Sequence, residues 1–228
     1  MTVMLTSSQI VHQPLVQASF LISGLFLCSG FFLLKRRWTT EKQISWILTL
    51  MSSVVCTITS LPFAIRFFFF RKRDMGLLEY GNQFHTAYSC FFMTYLFLDL
   101  VLGCRYYKSR ITLMTGWVHH LFYIAALLWF QKMQITSFFT VASILELPTV
   151  ILAIGSIDKR LRSDTLFALT FFLLRLVAHA WMMVSLKRYH RVEIMWIITL
   201  IIYPLHVYWF YGIVQINVRK YKKSKDAM

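Results

Sequence analysis

The chain has 228 residues and a formal net charge of +15 at pH 7, yet only 14% of its residues are charged and 58% are hydrophobic. Soluble domains usually carry about 25% charged residues. The apolar residues also come in blocks of about 20, the length that crosses a bilayer. This composition argues against a soluble enzyme domain. It predicts a compact, all-α integral membrane protein without a separate soluble catalytic domain.

The positive charge does not indicate a nucleic-acid partner. The basic residues lie between the apolar blocks, as they do in the loops of membrane proteins, and no basic helix face with interleaved aromatic residues is visible. We therefore expect membrane lipids, and no nucleic acid, as partners. The sequence does not indicate an oligomeric state.

Seven apolar segments predict a polytopic bundle of about seven transmembrane helices. We divide the chain into an N-terminal anchor helix (1–35), a transmembrane domain (36–219) and a basic cytosolic tail (220–228). The segments span Leu15–Leu34, Ile44–Ile65, Phe84–Cys104, Ile111–Phe130, Ile135–Ile157, Thr165–Leu186 and Ile194–Ile216.

The distribution of Lys and Arg favours an external N-terminus and a cytosolic C-terminus. Residues 1–14 contain no Lys or Arg, and Lys35, Arg36 and Arg37 follow the first segment directly. In this orientation fifteen basic residues lie on the cytosolic side and eight on the other, including Arg71, Lys72 and Arg73. Cytosolic loops carry an excess of Lys and Arg, which supports this orientation. Because a secretory signal needs a positively charged n-region, which is missing here, we read the first segment as a retained anchor.

Ionisable residues interrupt four successive segments. Asp99 lies in the third, His119 and His120 in the fourth, Glu146 in the fifth and Arg175 in the sixth. An ionisable side chain at such depth costs roughly 2.5–3.5 kcal/mol on insertion scales, so each is a functional candidate. We expect Asp99, Glu146 and one of the two histidines to meet in one cavity, with Arg175 as counter-charge. The alternative is that these groups only join helices by hydrogen bonds.

Helical spacing suggests which residues support this site. Tyr95 lies four residues before Asp99 and could orient the carboxylate, and His179 lies four residues after Arg175. Adjacent histidines are about 100° apart around a helix. We therefore expect one of the pair, His120, to face the cavity and the other to face a neighbouring helix.

The same pair is poorly spaced for a metal, since metal-binding histidines on a helix lie three or four residues apart. We predict no metal site.

The four cysteines all lie within apolar segments, and we interpret them as small buried residues. Pro148 lacks a backbone donor and should bend the fifth segment, freeing the carbonyl group of Ile144.

The runs YLFLDL, WVHH and LELPTVILAIGS, in this order, resemble the TLC domain shared by ceramide synthases and smaller lipid-associated proteins. The resemblance covers roughly Arg36 to Arg219 and is closest to the small TLC-domain proteins. It implies a role in lipid homeostasis of the sphingolipid type, in the endoplasmic reticulum or another endomembrane.

The resemblance to ceramide synthases implies N-acylation of a sphingoid base, with acyl-CoA as co-substrate and no further cofactor. The candidate catalytic residues here are His119, His120 and Asp99. We assign substrate binding to Tyr95, Glu146, Arg175 and His179. The stretch LFYIAALLWF after the histidine pair lacks the acidic residue that ceramide synthases have there. Lipid binding or handling is therefore the leading hypothesis, and N-acyl transfer is the alternative.

Two other membrane classes fit less well. A seven-span receptor would show Asp-Arg-Tyr after the third segment and Asn-Pro-x-x-Tyr in the seventh, and neither run occurs. The seventh segment also has no lysine for a retinal Schiff base. A small transporter would be favoured by a repeat of half the chain, and none is visible.

Overall fold

The structure is a computed structural model that describes residues 5–70 and 75–226. It is 86% helical, with no strand in the described ranges. Short helical turns connect the main helices at Gly76–Glu79, Lys108–Arg110 and Lys159–Leu161, and Ser7–Val11 precedes them. The main helices are α1 (Pro14–Lys35), α2 (Glu41–Phe70), α3 (Gln83–Tyr106), α4 (His119–Lys132), α5 (Thr136–Ile157), α6 (Asp164–Tyr189) and α7 (Met195–Asp226).

Six of these helices in the described ranges are long and apolar enough to cross a membrane, so the chain is a multi-pass helical membrane protein. The exception is the predicted fourth segment. Its α-helical part, α4, has only 14 residues and follows a π-helical stretch at Leu113–Val118. The predicted segments otherwise agree with the helices to within a few residues, except that α2 runs five residues and α7 ten residues further at the C-terminal end.

Side-chain caps mark where three of the helices begin. The Asn82 side chain accepts a hydrogen bond from the backbone N–H of His85 at 3.0 Å and starts α3. Thr40 and Ser163 cap α2 and α6 in the same way. Such caps satisfy backbone donors that a helix start leaves without partners, typically stabilising it by about 1 kcal/mol.

Helix α3 lies at the centre of the bundle. Of its apolar stretch 61% is buried, against 17% for α7, so α3 carries the core and α7 lies at the edge. Helix α1 packs along α3, where Phe31 contacts the ring of Tyr106 with a centroid distance of 5.6 Å. The predicted anchor helix is therefore packed against the bundle along its length.

Three helices depart from α geometry at the depth of the polar residues. Residues Ser143–Glu146 form a 3₁₀ turn within α5, and Phe172–Ala178 form a π-helical stretch within α6. The π-helical stretch before α4 is the third. Irregular backbone inside a membrane is tolerated where it faces protein or lines a cavity, and π-helical segments often occur at functional sites.

The helix is irregular next to Pro148, but the carbonyl group expected to be free is not the one that is. The proline starts a new α-helical stretch, Leu147–Ile157, directly after the 3₁₀ turn. The carbonyl group of Ile144 is not free, because it accepts the backbone N–H of Leu147. The carbonyl group of Leu145 instead leaves the helix pattern and accepts a hydrogen bond from Arg175 Nε at 2.9 Å.

Charged contacts join the loops at the predicted cytosolic end. Ser109 donates a hydrogen bond to Glu41, and Lys220 pairs with Asp164 at the start of α6. The basic tail expected from residue 220 continues α7 as far as Asp226. The basic run Arg71–Arg73 on the opposite side lies outside the described residues.

Candidate functional site

A cavity of about 850 Å³ extends from the predicted cytosolic end to mid-depth in the bundle. All the main helices except α1 contribute to its wall, which is mostly apolar. The sequence-predicted residues that line it are Tyr95, Asp99, His119, His120, Glu146 and Arg175. The expected convergence of the two acids and one histidine is therefore present, and the second histidine also lines the cavity.

Asp99 and His120 form a buried pair at one side of this cavity. His120 Nδ1 donates a hydrogen bond to the carbonyl oxygen of Gly116 at 2.7 Å, because a carbonyl can only accept. Its other nitrogen, Nε2, lies 3.1 Å from Asp99 Oδ2, without the alignment of a hydrogen bond. Two acceptors repel at this distance, so the contact is attractive only with a proton on one of the two atoms.

Tyr107 holds the Asp99 carboxylate from its other side. The phenol donates a hydrogen bond to Asp99 Oδ1 at 2.8 Å and is 1% exposed. Burial raises the pKa of Tyr107, and the negative charge of Asp99 raises it further, so the hydroxyl group keeps its proton and remains a donor. The expected orienting residue, Tyr95, does not do this: its hydroxyl lies 3.4 Å from Thr49 Oγ1.

The loop after α3 is packed closely enough to bring Tyr107 back to Asp99. A Cβ atom on Gly103 would overlap the side chain of Ile111 and meet the Tyr107 ring at 2.9 Å, and a Cβ atom on Gly116 would lie 2.6 Å from Ile111 Cγ2. Ile111 thus fills the space between two glycines, one on each side of the loop. Any larger residue at Gly103 would displace the loop that carries Tyr107.

The Tyr107→Phe variant should lose about 1.5–3 kcal/mol of unfolding free energy, the usual range for a hydrogen bond to a charged group. The matched control is Tyr95→Phe, which removes a hydroxyl with a long 3.4 Å contact and should cost less than about 1 kcal/mol. Equilibrium unfolding of the two purified variants in mixed micelles measures the difference. Equal losses would show that Tyr107 does not anchor Asp99.

His119 differs from His120 in having no polar partner among the described residues. Its ring packs on Tyr123 and Trp209, with centroid distances of 4.7 Å and 6.3 Å. It is half-buried and also lines the cavity. Both histidines therefore border the cavity, contrary to the expectation that one would turn away, and His119 is the one whose nitrogens are free to meet a ligand.

Arg175 and Glu146 form the second charged pair. Arg175 Nη2 donates to Glu146 Oε1 at 3.0 Å and to Thr149 Oγ1 at 2.9 Å. The second carboxylate oxygen, Oε2, has no hydrogen-bond partner among the described residues, and 25% of the Glu146 side chain is exposed. Arg175 is thus the counter-charge that the sequence predicted, and Glu146, which lines the large cavity, keeps one carboxylate oxygen without a partner among the described residues.

A chain of hydrogen bonds with a defined direction leads away from Arg175. His179 Nε2 donates to the carbonyl oxygen of Thr199 at 3.1 Å, so its Nδ1 accepts from His206 Nδ1 at 2.9 Å. His206 Nδ1 shares its hydrogen with the carbonyl oxygen of Arg175 at 3.1 Å. His206 Nε2 is then left as the acceptor facing Arg175 Nη1 at 3.4 Å. In this arrangement every ring nitrogen of His179 and His206 has a partner while both histidines are neutral. The hydrogen bonds join α6 to α7.

His179 does not line the large cavity. It borders a separate cavity of about 70 Å³ on the far side of Arg175, between α4, α5, α6 and α7. The substrate-binding role expected for His179 therefore has no support from its position, since its nitrogens are used within the protein. His206 belongs to the same chain of hydrogen bonds.

Tyr107, Thr149 and Trp209 are cavity residues that sequence reasoning missed. Tyr107 lies eight residues after Asp99 and beyond the end of α3, so no helical spacing could have connected the two. Thr149 stands directly after Pro148, where the position of the bend could have drawn attention to it. Trp209 looks like an ordinary residue of an apolar helix.

No group of three or more His, Cys, Asp or Glu side chains suited to a metal ion occurs within residues 5–70 and 75–226. Comparison of the chain with protein-family models, with curated proteins and with solved structures finds no match.

Proposed function

We propose that this protein binds a membrane lipid of the sphingolipid type in the large cavity and takes part in lipid homeostasis as a TLC-like domain. The observation that carries the proposal is the cavity itself. It is about 850 Å³ in volume and mostly apolar, and its few polar groups converge near mid-depth. Pockets of this size and character are typical of sites for one amphiphilic molecule.

The polar groups fit the head of a sphingoid base, which carries an amine and hydroxyl groups. The free Oε2 of Glu146 would accept from the ammonium group, and the unpaired ring nitrogens of His119 would accept from or donate to a hydroxyl group. Arg175 has one Nη1 hydrogen without a partner among the described residues, and it would donate to an oxygen. The apolar wall would hold the alkyl chain.

The second candidate function is N-acylation of the sphingoid base with acyl-CoA, as in ceramide synthases. The free His119 beside the Asp99–His120 pair favours it. The base nitrogen, in its neutral amine form, would attack the thioester carbonyl, His119 would take the proton that the nitrogen loses, and the C–S bond would break to release coenzyme A as its thiolate. The thiolate would then take the proton from His119. An endomembrane location, such as the endoplasmic reticulum, is part of the same proposal.

Photo-crosslinking with a clickable, photoactivatable sphingosine tests lipid binding in the cavity. Gly212 lines the cavity, and nothing lies within 4 Å of a Cβ atom added there, so Gly212→Phe should fill cavity space without disturbing the bundle. We expect the variant to lower the crosslinking yield about tenfold, equivalent to about 1.4 kcal/mol. Untagged sphingosine should compete with the probe in the wild-type protein.

Val214→Phe is the matched control, because Val214 lies two residues further along α7, is 39% exposed and does not line the cavity. It should leave the yield unchanged. A folded Gly212→Phe protein that crosslinks as well as wild type would refute binding in this cavity. Incubation of the wild-type protein with sphinganine and palmitoyl-CoA separates the two candidates, since only the second predicts dihydroceramide as product.

A further inference from the structure

Two arginines at the rim of the large cavity have no polar partner among the residues that the structure describes. Arg110 ends the short turn Lys108–Arg110, and Arg219 lies on α7, so they reach the rim from distant parts of the chain. Both line the cavity and both are exposed. Neither side chain makes a hydrogen bond or an ion pair with the residues that the structure describes.

Three other basic residues at the same end are paired with carboxylates. Arg160 contacts Asp158 at 2.7 Å, and Arg162 contacts Asp164 at 2.7 Å. Lys220, the residue after Arg219, also pairs with Asp164. The carboxylates of this region are thus used by basic residues that do not line the cavity, and Arg110 and Arg219 are left free at its rim.

The loop that carries Arg110 is held in place on both sides of it. Tyr107 donates to Asp99 at 2.8 Å and Ser109 donates to Glu41, while Ile111 fills the space between Gly103 and Gly116. A cation on a fixed loop loses less conformational entropy on binding a ligand than one on a free loop. The rim is therefore a more favourable anion-binding surface than an ordinary basic loop.

Deeper in the cavity the arginine already has an anionic partner. Arg175 pairs with Glu146, and Asp99 adds a second acidic group beside His120, so the described residues offer no unmatched arginine or lysine there for an anion. A negatively charged ligand group finds its complement at the rim alone. Arginine suits phosphate in particular, because its planar group donates to two oxygens at once.

We propose that Arg110 and Arg219 form a phosphate subsite at the cavity mouth, and that it binds the phosphate of an amphiphile whose chain enters the apolar cavity. This inference goes beyond the proposed function, because the phosphate subsite requires neither a sphingoid base nor catalysis. The rim lies at the predicted cytosolic end of the bundle, where lipid headgroups are found. We therefore assign the phosphate to a lipid.

Equilibrium binding of radiolabelled lysophosphatidic acid to the purified full-length protein in detergent tests the subsite. Monoacylglycerol with the same chain supplies the chain without phosphate, and we expect it to bind about tenfold more weakly. Arg110→Gln and Arg219→Gln should each weaken binding of lysophosphatidic acid about five- to tenfold and leave binding of monoacylglycerol unchanged.

Lys222→Gln is the matched control for Arg219→Gln. It removes one positive charge from α7 one helical turn further on, where the side chain is exposed and does not line the cavity. It should change binding less than twofold. Equal losses for Lys222→Gln and Arg219→Gln would reduce the effect to general attraction by a basic surface and overturn the subsite.

One further outcome identifies the source of the phosphate, and another tests whether the subsite exists. Displacement of lysophosphatidic acid by millimolar inorganic phosphate would support the subsite and assign it to a soluble phosphate compound. Equal affinities for lysophosphatidic acid and monoacylglycerol would refute it. The sphingosine crosslinking experiment is independent, since its probe carries no phosphate, so either proposal can fail without the other.

Discussion

Arg175→Met is expected to lower the free energy of unfolding by about 3 kcal/mol. Breaking a buried ion pair costs about 3–5 kcal/mol because one charge remains buried without a partner. Here 25% of the Glu146 side chain is exposed to the cavity, which places the loss at the lower end of that range. The variant also leaves the carbonyl oxygen of Leu145 and the Thr149 hydroxyl without their donor. Equilibrium unfolding in mixed micelles measures the loss.

Two controls separate the ion pair from the loss of a long side chain. Arg188→Met changes an exposed arginine on the same helix, and its effect should stay within about 0.5 kcal/mol. Glu146→Gln combined with Arg175→Met should restore part of the stability, because no carboxylate is then left unpaired. A double variant as unstable as the sum of the two single variants would show that the pair is not coupled.

His119→Ala and His120→Ala are expected to fail in different ways. His119 has free ring nitrogens in the cavity, so its loss should abolish the proposed function on lipid while the protein accumulates in the membrane at the wild-type level. His120 holds Asp99 at 3.1 Å and the carbonyl oxygen of Gly116 at 2.7 Å. Its loss should cost about 1–3 kcal/mol, the penalty of an unsatisfied buried polar group, and should lower abundance.

The measurement is complementation of a deletion strain, scored by its sphingolipid profile, beside the amount of each variant in the membrane. Relative to the amount of protein in the membrane, His120→Ala should restore the sphingolipid profile better than His119→Ala does. Full complementation by both single variants and by the double variant would assign the histidine pair to packing alone.

Local sequence determined which parts of the chain cross the membrane. Blocks of about 20 apolar residues can satisfy their backbone polar groups in a bilayer only as helices, so the all-α class and most helix bounds could be predicted. The convergence of Asp99, the histidine pair and Glu146 followed from their similar depths in successive segments. Arg175 could be predicted as the counter-charge, since a buried charge needs a partner.

Tertiary structure decided the contacts that depend on loops and on helix orientation. Tyr107 reaches Asp99 because Ile111 packs between Gly103 and Gly116 and folds the loop back. No sequence period encodes such a return, so helical spacing pointed to Tyr95 instead. Similarly, the two histidines are adjacent in sequence, and only the π-helical start of their segment and the packing of α7 distinguish His119 from His120.

The sequence by itself determined that this is a helical membrane protein with a buried polar centre, because hydrophobic length and the cost of burying charge are local properties of the chain. Only the tertiary structure decided which atoms of that centre are used within the protein and which are free. The carboxylate of Glu146 shows the reason: Arg175 takes Oε1 and leaves Oε2 in the cavity. That division depends on the packing of α5 against α6, which no local pattern specifies.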